Sequence, residues 1–230
     1  MTTPIRVISS MATRHVLGEL AGSFQRRFSV PVEIESVGGV IAAKRVQAGE
    51  DFDVVVLAAD AIDALTEAGK VVATTRVAVA RAGVAVAVRS GAPRLDIGSE
   101  AALRRAVESA RSISYSTGPS GTHLQKLFAR WGMADEIAQR TVQAPPGVPV
   151  GSLIADGRAE LGFQQLSELI HLDGIVVLGP LSDDVQNVTV FTAALTTATT
   201  RPDQAAQWLE FLASAETDEV KERNGMMPAR

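Results

Sequence analysis

Five stretches of the chain set small hydroxyl, glycine or amide residues where a strand gives way to a helix. They are Ser9-Ser10-Met11, Ser36-Val37-Gly38-Gly39, Ser116 to Thr122 (STGPSGT), the PGVPVGS stretch around Val150, and Gln164-Gln165. Hydroxyls and free backbone N–H groups gathered at helix starts can hold an anion. Aspartate caps a helix equally well but would repel an anion; it is absent from all five junctions and is read as a cap at Asp60. One serine at a helix start is ordinarily just a cap, and Gly38-Gly39 alone is ordinarily just a turn. The repetition is what argues for a ligand. Two cations stand nearby, Arg14 in the first turn of its helix and Lys44 in the second turn of its own. Both placements oppose the helix dipole at roughly 0.3 kcal/mol each, a cost that charge kept for an anionic ligand would explain.

Groups able to move a proton are few. Of the three histidines, His15, His123 and His171, none has metal-ligand spacing. His123 stands at a helix start, which favours the neutral imidazole and suits a base or hydrogen-bond donor. Glu168 is a second candidate, provided it reaches the ligand. There is no cysteine, so thiolate metal sites and disulfides are excluded. No Ser-His-Asp order, phosphate loop or dinucleotide fingerprint is present, and no metal site or cofactor is expected.

The elements that must position these residues follow from periodicity. Strands are expected at Ile5–Ile8, Pro31–Glu35, Asp53–Leu57, Val77–Arg89, Ser112–Tyr115, Ala159–Phe163, Ile175–Leu178 and Val188–Leu195. Helices are expected at Ala12–Phe28, Ile41–Ala48, from Asp60 to Gly69, Glu100–Ser109 behind the cap Ser99, His123 to about Trp131, Pro202–Ala213 and Asp218–Arg223. The alternation implies α/β architecture with parallel strands and right-handed crossovers. An extended strand near residue 85 leads out of the first unit, and another near residue 190 leads back. We therefore expect two lobes, residues 1–86 with 190–230 and residues 87–189, and one cleft at the C-terminal strand ends.

The chain has 230 residues, of which 46% are hydrophobic and 21% charged, with net charge −4 and no basic run. A nucleic-acid partner is not expected. The longest apolar runs fall well short of the ~20 residues a membrane helix needs, so membrane insertion is not expected either. The opening MTTPIRVISS lacks a cationic and then apolar leader. As given, the chain reads as cytoplasmic, or as periplasmic if a leader has been removed.

Four segments, ISSMATRHVLGELAGSF, RVQAGEDFDVVVLAADAIDALTEAGKV, SYSTGPSGTHLQKLF and AELGFQQLSELI, resemble the type II extracellular solute-binding proteins. The branch is that of the molybdate-binding components of ABC transporters, and the similarity runs from Ile5 to the closing RNGMMP. The resemblance implies the two-lobed, periplasmic-binding-protein-like type II fold with two hinge-crossing strands. It also implies a tetrahedral oxyanion or small carboxylate held by hydroxyls and backbone N–H groups. Carried onto this chain, those are Ser9, Ser10, Gly38, Gly39 and Ser120, Gly121 and Thr122, to which the junction pattern adds Met11, Arg14, Lys44, Ser116, Val150 and Gln164. Molybdate-binding members offer a tyrosine to the anion, whereas the single tyrosine here, Tyr115, lies inside a strand. GFQQLSEL and SGTHL are more similar to a sub-branch that includes aconitate isomerase, which shifts an allylic proton in a tricarboxylate without a cofactor. The expectation is a cofactor-independent isomerase of a small polycarboxylate, with His123 or Glu168 moving the proton. The alternative is a molybdate-, oxyanion- or carboxylate-binding protein of ABC-transporter type. The ligand's identity and the oligomeric state are left open.

Overall fold

A computed structural model describes residues 3–145 and 147–229. Pro146, in the loop read before Val150, lies outside the described residues. The strands are β1 (Ile5–Ser10), β2 (Val32–Val37), β3 (Val54–Ala58), β4 (Val77–Arg89), β5 (Ile113–Tyr115), β6 (Leu161–Gln165), β7 (Ile175–Pro180), β8 (Val188–Leu195) and β9 (Met227–Pro228). The α-helices are α1 (Arg14–Phe28), α2 (Gly39–Gln47), α3 (Ala59–Glu67), α4 (Glu100–Ser109) and α5 (Pro119–Arg130). They continue with α6 (Ala134–Arg140), α7 (Val150–Ala155), α8 (Leu166–Leu169), α9 (Pro202–Ala213) and α10 (Asp218–Arg223). The chain divides into two compact units, Met1–Ala82 with Val190–Arg230, and Gly83–Thr189. It passes from the first to the second within β4 and returns within β8.

In the first unit β1 lies between β2 and β3, parallel to both, and β8 runs antiparallel to β3. Val16, Leu17, Leu20, Ala21 and Phe24 form the buried stripe of α1. They share one core with Val7, Val54, Val79 and the α9 residues Trp208, Leu209 and Leu212. Phe24 meets Trp208 edge-on at 5.1 Å between ring centres, an aromatic arrangement worth about 1 kcal/mol beyond burial. Ile8, Val55 and Leu57 face the opposite side and pack on α2 and α3 through Ala42, Val46 and Ile62.

In the second unit β6 lies between β5, to which it is parallel, and the second half of β4, to which it is antiparallel. Leu103, Ala106 and Val107 of α4 and Leu124, Leu127 and Phe128 of α5 bury against Val86, Ile113 and Phe163. Ser99 caps α4 by accepting the Ala102 N–H at 3.2 Å.

The α/β architecture is as expected, with local corrections that bear on the site. α5 starts at Pro119, four residues before His123, so Ser120, Gly121 and Thr122 form its first turn instead of a loop. Proline at the first helical position loses no hydrogen bond, because that N–H has no intrahelical acceptor. Gly39 opens α2 instead of forming a turn, and α2 ends at Gln47, so Lys44 sits in its last turn. There the dipole favours a cation, which removes the cost read for Lys44. Asp60 is not the cap of α3; it lies in the first turn and accepts the Ala61 N–H at 2.9 Å. β6 is shifted two residues along the chain, so Gln164 and Gln165 end the strand instead of following it.

Candidate functional site

The parallel pairing brings the first two junctions together. Ser9 of β1 is directly opposite Ser36 of β2, and their hydroxyls are 2.8 Å apart. Both side chains sit at the C-terminal strand ends, where α1 and α2 begin. Ser9 is fully buried. Ser10 is 9% exposed, and its hydroxyl has no hydrogen-bond partner among the described residues. A buried hydroxyl without a partner costs about 1–3 kcal/mol, and Ser114, Ser167 and Ser182 of the second unit share this condition among the described residues. Gly39 lies against Ser10: a Cβ on Gly39 would be 3.9 Å from Ser10 Cβ. Gly38 has φ −56° and ψ 135°, a conformation any residue adopts. Neither glycine is demanded by the backbone, and each leaves room beside main-chain N–H groups. Met11 is half-buried in the turn that follows Ser10. Arg14, the first residue of α1, and Lys44 are both exposed, and neither forms an ion pair among the described residues. Arg6 and Arg45 of the same unit are paired with acidic residues.

The corresponding end of the second unit is built differently. β5 and β6 are parallel, with Tyr115 opposite Phe163, so Ser116 and Gln164 follow at the same end. Ser116 and Ser120 share a hydroxyl–hydroxyl bond of 2.8 Å, and Ser116 also accepts the Gly118 N–H at 3.3 Å. Ser120 is fully buried. Gly121 has a strict local reason: a Cβ there would stand 1.6 Å from the Ser116 carbonyl oxygen. Thr122 is exposed, and its hydroxyl turns back to the Gly118 carbonyl at 3.4 Å. His123 Nε2–H donates to the Val185 carbonyl at 2.8 Å, leaving Nδ1 as the ring's acceptor. Tyr115 is 6% exposed and packs on Phe128 with ring centres 5.9 Å apart.

Beside these, Gln164 joins two elements. Its Oε1 accepts the N–H of Val150, the first residue of α7, at 2.9 Å. Its Nε2 donates to Glu168 Oε2 at 2.6 Å. The Val150 N–H is therefore already engaged within the protein. Loss of solvent pushes the Glu168 carboxyl up to about 7, against the opposing pull of the Gln164 bond. Glu168 thus exchanges its proton near neutral pH while keeping one neutral partner. Sequence reasoning put Ser36 at its junction but not among the ligand residues; its place opposite Ser9 follows only from strand register. No group of three or more His, Asp or Glu able to hold a metal ion occurs among the described residues.

Two α/β units are thus joined through β4 and β8, with hydroxyls at a strand end of one and a carboxyl in the helix after a strand of the other. The chain belongs to the family of bacterial extracellular solute-binding proteins, whose model matches residues 5–227. It is 32% identical over 231 residues to aconitate isomerase of a Pseudomonas species, covering 98% of this chain and 88% of that one. Among solved structures it is similar to the periplasmic molybdate-binding protein of Azotobacter vinelandii, with TM-score 0.82 and 20% identity over 98% of this chain and all of that one. A periplasmic thiamin-binding protein superposes with TM-score 0.78 at 18% identity, covering 99% of this chain and 84% of that one. These structural likenesses carry the fold. None of the helices among the described residues is long and apolar enough to cross a membrane.

Proposed function

We propose that this protein is a cofactor-independent isomerase that shifts a carbon–carbon double bond in a small polycarboxylate of the aconitate type. The reading rests chiefly on the 32% identity to aconitate isomerase along essentially the whole chain. It is supported by a carboxyl, Glu168, whose proton exchange lies near neutral pH. On the first unit, substrate carboxylates are bound by the Ser9, Ser10 and Ser36 hydroxyls and by N–H groups at the starts of α1 and α2, with Arg14 and Lys44 adding positive charge. A base takes a proton from the methylene carbon next to the double bond. The freed electron pair spreads over the allylic system and its attached carboxylate, where helix N-termini stabilise it. The proton then returns to the far carbon, so the double bond moves and no proton or electron is gained or lost. Glu168 and His123 are the candidate bases.

The test is direct. Purified protein is incubated with cis-aconitate or trans-aconitate, and the approach to a common equilibrium mixture is followed. Interconversion at a rate proportional to protein supports the reading, and its absence with both isomers removes it. Family membership favours a second reading, a binding protein for an oxyanion or carboxylate. Thermal stabilisation by molybdate or tungstate, with none by tricarboxylates, would select that one.

A further inference from the structure

Glu168 is held unlike Glu35 and Glu160. Glu35 accepts from Arg45, and Glu160 from Arg111; the arginine bond keeps each carboxyl below the usual carboxylate range. Glu168 makes no ion pair among the described residues, and its hydrogen-bond donor is the Gln164 amide. α7 (VGSLIA) and β6 (LGFQQ) pack on α8 and carry no charged side chain. The nearest titratable groups along the chain, His171 and Asp173, are exposed on the turn beyond α8.

The amide that meets Glu168 cannot turn over. The Val150 N–H can only donate, so Gln164 Oε1 must face it. Nε2 is then committed to Glu168, and Gln164 itself is 4% exposed. A backbone N–H at a helix start, a buried amide and a carboxyl therefore form a fixed chain. His123 is tied differently, through Nε2 to the Val185 carbonyl.

We infer that Gln164 is a positioning residue: locked by the Val150 N–H, it orients Glu168, and Glu168 rather than His123 is the group that carries the proton. This rests on the isomerase reading. One carboxylate oxygen removes the methylene proton, and the resulting carboxylic acid returns it to the far end of the allylic system, so the group ends as it began.

Two variants test this, Gln164→Leu and Gln164→Glu, with Glu168→Gln used to assign the Glu168 signal in a 13C-carboxyl NMR titration. Gln164→Leu removes the donor that favours the carboxylate. Glu168 should then titrate about one pH unit higher. The rising limb of the kcat–pH profile should move with it, while KM for aconitate changes by less than about threefold. Gln164→Glu keeps an acceptor for Val150 but sets a second carboxylate beside the first, and should raise the pair's upper titration as well. If either variant fails to fold, the other carries the test. An unmoved Glu168 titration overturns the inference. A raised KM with unchanged kcat also overturns it, because Gln164 would then be a direct ligand contact. If wild-type protein isomerises neither aconitate, the functional reading falls, and the NMR titration alone decides whether Gln164 sets the Glu168 carboxyl.

Discussion

The two units carry glycine at corresponding junctions, and for opposite reasons. In the first, Gly38 and Gly39 have open surroundings, with a Cβ meeting nothing nearer than 3.8 Å and 3.9 Å. In the second, Gly121 touches the Ser116 carbonyl so closely that no side chain fits. Hydroxyls differ in the same sense. Ser10 is buried with its hydroxyl unpartnered, whereas Ser120 is buried and spent on Ser116. Each unit nevertheless has a hydroxyl pair closed on itself, Ser9 with Ser36 and Ser116 with Ser120, and among the described residues the second unit also buries unpartnered hydroxyls at Ser114 and Ser167. Under the isomerase proposal the first unit's hydroxyls bind the anion and Glu168 of the second unit moves the proton, a separation that can be tested.

The strongest way to break that separation is Glu168→Gln. If the second unit supplies the chemistry, isomerisation should fall by about 10²–10⁴-fold. Tricarboxylate binding, read by calorimetry, should change by less than about threefold. A variant that loses binding and rate together would make Glu168 part of the binding surface and dissolve the contrast. His123→Ala is the control, expected to retain at least a tenth of the rate.

Gly121→Ala and Gly39→Ala sharpen the contrast between the glycines. At 121 the new methyl collides with backbone that cannot yield, and we expect a loss of about 3 kcal/mol in urea unfolding. At 39 the methyl makes ordinary van der Waals contact in the first turn of α2, and stability should change by less than about 0.5 kcal/mol. There the effect should appear as weaker ligand binding, because the methyl takes space beside Ser10.

A third prediction concerns pH. Burial raises the Glu168 carboxyl from an ordinary value near 4.5 to about 7. The folded state therefore binds this proton more tightly than the unfolded state. Its contribution to stability is fully present below about 4.5 and is lost as pH rises through about 7. The loss is up to about 3 kcal/mol. Glu168→Gln, which cannot ionise, should match wild type near pH 4.5 and be the more stable by pH 8. Parallel unfolding curves across that range would show instead that the carboxyl is well solvated.

Much of this was legible in the chain. The apolar stripe of α1, the full length of β4, the Ser99 cap and the Pro202 start stand where periodicity and capping chemistry place them. The misreadings share a cause: small polar residues at a junction look alike whether they form a loop or a first helical turn. Ser120, Gly121 and Thr122 read as loop because nothing local reveals the Ser116 carbonyl that Gly121 packs against. Gln164 read as a residue after the strand because GFQQ does not alternate; both glutamines are buried at the end of β6. Partners such as Ser9 with Ser36, or Gln164 with Val150, depend on register and helix placement, which spacing along the chain does not encode. The Glu168 carboxyl shows the same limit. It sits in an ordinary helical LSEL, and only its burial in three dimensions sets it apart.

A smaller effect than at Gly121 is expected at Ser10, and it bears most directly on whether the first unit holds the anion. The Ser10 hydroxyl makes no internal hydrogen bond among the described residues, so Ser10→Ala removes nothing that holds the empty protein together. Its melting temperature should stay level or rise slightly, because a buried polar atom without a partner is removed. If the hydroxyl donates to a ligand carboxylate or oxyanion, affinity should fall about tenfold, equivalent to ~1.4 kcal/mol. Ser120→Ala provides the contrast. It strips Ser116 of a partner and should cost the empty protein about 1 kcal/mol while altering affinity less. Thermal unfolding with and without tricarboxylate reads both variants in one experiment. A stability loss at Ser10 without an affinity loss would mean that the hydroxyl finds an internal partner in solution. The anion would then be held by backbone N–H groups and the Ser9–Ser36 pair alone.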